Sequence, residues 1–204
     1  MYRPIRYLGN ITGTGINLRL LFICFLLTLT TVAGSTGASA AELYQRLQGM
    51  ALVNQDGQSG ALLEDYIGDS ITVVTFAYSS CTTACPILDG IFKKVQKTLN
   101  DEERGTVNLL TITIDPVNDI PARLKQRAEM LNAAAGWNFL TGSKAQVDAV
   151  LKAFEVYTAD IYSHPPTVFI LDVRADKYHR LPGFPSTKLI LSYIDQYQKE
   201  RRDS

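Results

Sequence analysis

Ile71-Thr72-Val73-Val74-Thr75-Phe76-Ala77-Tyr78, followed at once by Ser79-Ser80-Cys81-Thr82-Thr83-Ala84-Cys85-Pro86, is the stretch from which the fold is read. Its first eight residues are apolar or β-branched with little polar alternation, which suits a strand buried on both faces better than a helix. Beyond the cysteines, Leu88, Ile91, Phe92, Val95 and Leu99 recur at helical spacing. The two cysteines therefore lie where a strand ends and a helix begins, the position at which open α/β sheets carry their sites.

Downstream, the strand and helix signals repeat. Val107 to Ile114 alternates as a strand does, and Asp119 with Pro121 opens a helix running to a cap at Gly136. Trp137-Asn138-Phe139-Leu140 is a third strand. Ser143 and Gln146 form a capping-box pattern ahead of a helix with Val147, Val150, Leu151 and Phe154 on one face. Thr167 to Leu171 is a further strand, and after Pro182 to Pro185 a last helix starts near Ser186, with Leu189, Ile190, Tyr193 and Ile194. Upstream, Glu42 to Gly60 is polar and turn-rich, an entry segment with Asn54-Gln55-Asp56-Gly57 as a tight turn beside Ala51-Leu52-Val53. Strands alternating with helices predict an α/β fold: a central, mostly parallel sheet flanked by helices. No internal repeat, low-complexity tract or linker interrupts it.

The chain has 204 residues, 46% hydrophobic and 20% charged, enough for one well-buried core. Its first forty residues contain Arg3, Arg6 and Arg19 and no acid, leaving 17 basic against 20 acidic groups in the remainder. That balance argues against a nucleic-acid partner. Basic residues before the apolar stretch Leu20 to Ala33, then Ala38-Ser39-Ala40, read as an export signal over residues 1–40, cleaved after Ala40. The mature domain is then 41–204 and its compartment the periplasm. The alternative is an uncleaved anchor in the inner membrane, facing the periplasm and held through residues 18–33. Cys24 lies inside the apolar stretch and leaves with the signal. Cys81 and Cys85 remain, and in an oxidising compartment the simplest reading is a structural disulfide. Closing a loop of about four residues removes little chain entropy, however, which counts against a purely stabilising bridge.

Cysteines at i and i+4 on a helical turn share a face with Cα atoms about 6 Å apart, suited to a disulfide or to gripping one soft metal ion. The helix N-terminus favours the thiolate, which is both nucleophile and ligand. A metal needs a third donor, and the chain's only imidazoles are His164 and His179. His164, in Tyr162-Ser163-His164-Pro165-Pro166, precedes the strand from Thr167; if that strand lies parallel beside Ile71 to Tyr78, its leading loop comes near the cysteines. The plain alternative is a loop histidine packed against proline. His179, in Asp176-Lys177-Tyr178-His179-Arg180, reads as an exposed turn residue. Two thiolates and an imidazole suit copper(I); zinc would want a fourth ligand.

These residues resemble the SCO/SenC family of thioredoxin-like proteins, which take part in assembling the copper centres of respiratory oxidases. The likeness runs from about Leu52 to Tyr197. It rests on Phe76-Ala77-Tyr78-Ser79-Ser80-Cys81 through Cys85-Pro86, on Asp115-Pro116-Val117-Asn118-Asp119-Ile120-Pro121, on Trp137-Asn138-Phe139-Leu140-Thr141-Gly142, and on His164 eight residues before Asp172. The resemblance implies a thioredoxin-like fold, copper held by Cys81, Cys85 and His164, and a respiratory oxidase subunit or another copper-accepting exported protein as partner. It also places Asp115 and Asp119 close to the metal loop, where their own sequence context makes Asp119 a helix cap and Asp115 the end of a strand. Between the cysteines stand Thr82-Thr83-Ala84, where the family usually has a proline and an acid. Pro166-Thr167 stands where thioredoxins and thiol peroxidases carry a proline, often cis, facing the active cysteines. The alternative function is accordingly a thiol-disulfide oxidoreductase in which Cys81 attacks and Cys85 resolves.

Overall fold

A computed structural model describes residues 39–99, 103 and 105–203; the predicted export segment, with Cys24, lies outside them. The described chain runs α1 (Ala40–Leu47), β1 (Ala51–Asn54), β2 (Ser59–Ala61), a π-helical turn (Leu62–Ile67), β3 (Ile71–Ala77), α2 (Ala84–Thr98), β4 (Val107–Thr113), α3 (Pro121–Leu131), β5 (Trp137–Thr141), α4 (Lys144–Ala153), a 3-10 turn (Ile161–Ser163), β6 (Thr167–Asp172), β7 (Lys177–Pro182) and α5 (Thr187–Asp203). The strands form one sheet in the order β2-β1-β5-β4-β3-β6-β7.

At the centre, β3, β4 and β5 are parallel, in register from Ile71 opposite Val107 to Ala77 opposite Thr113. All seven residues of β3 are buried, as its unbroken apolar run demands. The sheet continues antiparallel on both sides, through β1 and β2 at one edge and β6 and β7 at the other. Period-two alternation along β3 divides the core. Val74 and Phe76 face a layer with Leu43 and Leu47 of α1 and Val147, Val150 and Leu151 of α4. Ile71 and Val73 face α2, α3 and α5 through Phe92, Leu124 and Ile190. The result is an α/β sandwich of the thioredoxin-like kind.

Several elements depart from the sequence reading. The entry segment begins with a helix: Ser39 Oγ accepts from the Glu42 amide at 3.2 Å, and α1 buries Leu43, Tyr44 and Leu47. It is too short to announce itself by periodicity. Helix α3 stops at Asn132, held in the left-handed region at φ 53°, rather than at Gly136, which turns the chain into β5 at φ 89°. The capping box of Ser143 and Gln146 is formed. In α5 the buried face is Ile190, Ile194 and Tyr197, while Leu189 is exposed. Strand β7 was missed because its polar, half-exposed residues show no apolar alternation. Most consequentially, β6 runs antiparallel to β3, with Ile71 opposite Asp172 and Thr75 opposite Val168.

Candidate metal and redox site

After Ala77, the Cys81 amide donates to the Tyr78 carbonyl at 3.1 Å, a tight turn that lowers Cys81 onto the first turn of α2. The Cys85 amide then donates to Cys81 Sγ at 3.3 Å. Both cysteines are buried free thiols, not a disulfide, and pack with Ala77 under the Tyr78 ring. Their acidities diverge. Burial pushes the Cys81 thiol up, but hydrogen bonds from the Cys85 thiol and amide and from Thr83 outweigh it, and the net value falls to about 7. Burial also raises Cys85, and the hydrogen bond it gives Cys81 raises it further, to about 12, against smaller opposing pulls from a backbone hydrogen bond at Tyr78 and then from the Arg127 charge. Arg127 reaches this region from α3 and pairs with Asp89, one helical turn beyond Cys85, at 2.7 Å in a buried contact. A single loop thus holds one acidic and one reluctant thiol, the asymmetry that distinguishes an attacking from a resolving cysteine.

Asp119 does not cap α3, whose N-cap is Ile120 with no side-chain bond. Its carboxylate is buried and accepts from the Ser79 amide at 3.0 and 3.2 Å and from Thr113 Oγ1 at 2.6 Å. The residue clamps the end of β4 to the loop leading into Cys81. Asp115 stands two residues past the end of β4 and anchors the turn that follows: the Asn118 and Asp119 amides donate to its carbonyl, and Asn118 Nδ2 donates to its carboxylate at 2.8 Å.

His164 reaches the cysteines by a route opposite to the one expected. A parallel β6 would begin beside the start of β3 and leave its leading loop at the far end of the sheet; the antiparallel pairing puts the start of β6 beside the end of β3, where Cys81 follows. The imidazole packs edge-on against Phe76, centroids 6.1 Å apart. Its Nδ1 lies 3.2 Å from the Val156 carbonyl, which can only accept, so Nδ1 carries the proton and Nε2 the lone pair. Nε2 is buried with no hydrogen-bond partner among the described residues. Burial lowers the imidazole's pKa, opposed by the Val156 carbonyl, and so favours the neutral ring. His164 lines, with Phe76, Tyr78, Cys81, Cys85 and Pro166, a cavity of about 40 Å³.

An unpaired imidazole nitrogen and two thiols in one pocket match the soft donor set of copper(I). Among the described residues, however, no three His, Cys, Asp or Glu side chains are close enough to form a metal shell as they stand. The pocket brings the three donors together without drawing them into coordination. Pro166 lines the pocket, but its peptide is trans, as are all described peptide bonds, so the cis geometry often seen at this place in thioredoxins is absent. His179 is not a turn residue: it lies in β7, its Nδ1 is hydrogen-bonded to the Tyr197 hydroxyl at 2.6 Å, and its ring packs at a tilt against Tyr193 with centroids 4.1 Å apart. Its partners come from α5, and it takes no part in the pocket. Phe76 and Tyr78 are pocket walls whose one signal in the sequence is an aromatic pair at alternate positions just before the cysteine loop.

The SCO1/SenC family model matches residues 42–198. A SCO1 protein homolog of Bacillus subtilis (strain 168) is 30% identical over 105 residues, covering 50% of this chain and 53% of that protein, so the match spans about half the relative's length. Bradyrhizobium japonicum ScoI, solved with copper bound, is similar at TM-score 0.58 and 19% identity, over 72% of this chain and 96% of that one. BsSco, described as a member of the Sco family of cytochrome c oxidase assembly proteins with a disulfide switch, is similar at TM-score 0.59 and 23% identity, over 72% and 89%.

Proposed function

Because the chain belongs to the SCO1/SenC family, we propose that it binds copper(I) through Cys81, Cys85 and His164 and delivers it to, or prepares, the copper centre of a respiratory cytochrome c oxidase. The observation that carries this reading is the buried, unpartnered Nε2 of His164 beside two free thiols. A buried polar atom left without a partner costs about 1–3 kcal/mol, and a cargo ion bound there would recover that loss. The Val156 carbonyl fixes the tautomer that leaves Nε2 able to ligate, as outer partners of metal histidines do. Copper is cargo here: an acceptor's ligands would replace these three in turn. The reading includes export to the periplasm through residues 1–40 and a copper-accepting oxidase subunit as partner. Relatives with copper bound and with a role in oxidase assembly support it.

Titrating the reduced domain with copper(I) against a competing chelator tests the ligand set. His164→Ala is expected to lose roughly 10–100-fold in affinity, by analogy with the loss of a metal-site partner. Unchanged affinity would remove the three-ligand reading.

The asymmetry of the thiols favours a second activity of the same site, thiol-disulfide exchange. The Cys81 thiolate attacks a partner's disulfide; that S–S bond breaks, a mixed disulfide forms, and the departing sulfur takes a proton. Cys85, losing its own proton, attacks Cys81 Sγ and releases the second partner thiol. The partner gains two electrons and two protons, and this chain ends with a Cys81–Cys85 disulfide. A Cys85→Ser variant is expected to accumulate the mixed disulfide, visible as a reducible covalent complex.

A further inference from the structure

Four segments meet at the end of the sheet that carries the dithiol: 79–87 after β3, 116–121 after β4, 161–167 leading into β6, and 181–187 at the end of β7. Contacts join them into one surface. The Ser79 amide is held by the Asp119 carboxylate, Tyr162 packs on Tyr78, and the Gly183 amide donates to the Pro166 carbonyl at 2.8 Å. In a chain that is 20% charged, these segments contain one acid and no Lys or Arg, and that acid, Asp119, is 1% exposed. Apolar side chains stand out instead: Ile87, Val117, Ile120, Tyr162 and Phe184 are between 45% and 81% exposed. Among the described residues, the other exposed large hydrophobics are Tyr157 and Leu189, which flank the segments, and Met130, near the end of α3. The charged residues at the segment ends leave no net sign. Asp115 accepts from Asn118, Asp160 from the Tyr162 amide and the Ser163 hydroxyl, Arg180 donates to the Glu155 carbonyl, and Lys188 is exposed. Of the chain's eight prolines, all but Pro4 fall in these four segments. Proline fixes φ, so the loops are stiff before anything binds.

We propose that this surface docks the partner polypeptide and sets the substrate class of the site: an uncharged, apolar segment that carries the partner's cysteines. That the occupant bears cysteines rests on the proposed transfer and exchange activities, both of which need a second chain's sulfur at Cys81. Such a chain must cover the rim around two buried thiols, and an uncharged rim can be covered without stranding a charge away from water. Charged flanks on the partner would lose their own hydration there and find no opposite charge in return. Single apolar residues scattered over a surface need no explanation, whereas a rim of them around a pocket marks an interaction site. Stiff loops lower the ordering cost of binding. A small charged disulfide such as glutathione disulfide makes few of these contacts and is a poor substrate.

Two model peptides test the surface, each with one intramolecular disulfide, flanked by Leu and Tyr in one and by Glu in the other. With their cysteines replaced by serine, the apolar peptide is expected to shift amide resonances of the four segments in NMR spectra of the metal-free reduced protein, and to bind about tenfold or more tightly than the Glu peptide. Equal binding of the two, shifts centred elsewhere, or no shifts at millimolar peptide overturn the docking surface. In reduction of the disulfide forms, with each rate divided by the same peptide's rate with dithiothreitol, the wild type should prefer the apolar peptide by a similar factor. Val117→Lys combined with Phe184→Lys should erase that preference or turn it toward the Glu peptide, whereas Met130→Lys should retain it. Because a ratio is read, any general change in Cys81 reactivity divides out. A preference untouched by the double variant overturns the proposal. No reaction of the wild type with any disulfide, hydroxyethyl disulfide included, would sink the exchange activity and leave the serine peptides to decide the surface. A concentration-dependent dimer that the double variant dissolves would assign the face to a second copy of this chain and overturn the partner.

Discussion

Cys81 and Cys85 sit where one strand ends and the next helix begins, and short-range bonds from Tyr78 and Cys85 set their arrangement. His164 is placed quite differently. Its segment is held at Val156, on the way out of α4, and its ring leans on Phe76 of a strand far earlier in the chain. Apart from the clamp that Asp119 supplies to its entry loop, the first half is therefore built by contiguous sequence, and the second by the packing of the layer that holds α1 and α4. The two should fail separately: a defect in that layer should dislodge the imidazole while leaving the dithiol intact, and a defect in the loop clamp should do the reverse.

Phe76→Ala is the strongest way to break the histidine half. The ring is buried against Phe154 at 5.3 Å, Phe169 at 6.0 Å and His164 at 6.1 Å. Its loss is expected to cost about 3–5 kcal/mol in urea-induced unfolding. In the protein that remains folded, the Cys81 alkylation rate should stay near that of the wild type. A comparable change in Cys81 reactivity would mean the two halves are not separable.

Asp119→Ala attacks the cysteine half. It leaves the Ser79 amide and Thr113 hydroxyl without their acceptor and is expected to cost about 1–3 kcal/mol. Here alkylation of the folded protein should change, because the loop entering Cys81 has lost its clamp, while His164 should keep its bond to Val156. The state of that ring can be followed by the imidazole resonances in NMR spectra.

The smallest expected effect is a pH dependence confined to one thiol. With Cys81 lowered to about 7 and Cys85 raised to about 12, iodoacetamide should label one cysteine, with a rate that climbs as pH rises through about 7 and then levels off. Because the Cys81 thiol is more acidic than usual, its reactive form persists at neutral pH and is lost as the pH falls below that midpoint. Equal labelling of both cysteines across this range would contradict the asymmetry on which the proposed exchange activity rests.

Much of the fold was legible because it is locally encoded. The unbroken run from Ile71 could only be a doubly buried strand, the spacing of Leu88, Phe92 and Val95 could only be a helix face, and Ser143 with Gln146 is a cap that forms from neighbours alone. Edge elements were not legible: β7 is polar and half-exposed, and α1 buries only three side chains. Asp119 misled for a related reason. A carboxylate two residues before a helix-opening proline looks like a cap, and only the approach of β4 to the cysteine loop turns it into a clamp.

The sequence by itself determined that Cys81 and Cys85 share one turn at a strand–helix junction, since backbone geometry links residues four apart without help from the rest of the chain. It also singled out His164 as a candidate partner. Strand direction was beyond it: apolar patterning is the same for a parallel and an antiparallel neighbour, and only packing of the complete sheet chose the antiparallel arrangement. That choice brings the loop before β6 to the end of β3, and with it the unpaired Nε2 of His164 to the pocket of Cys81 and Cys85.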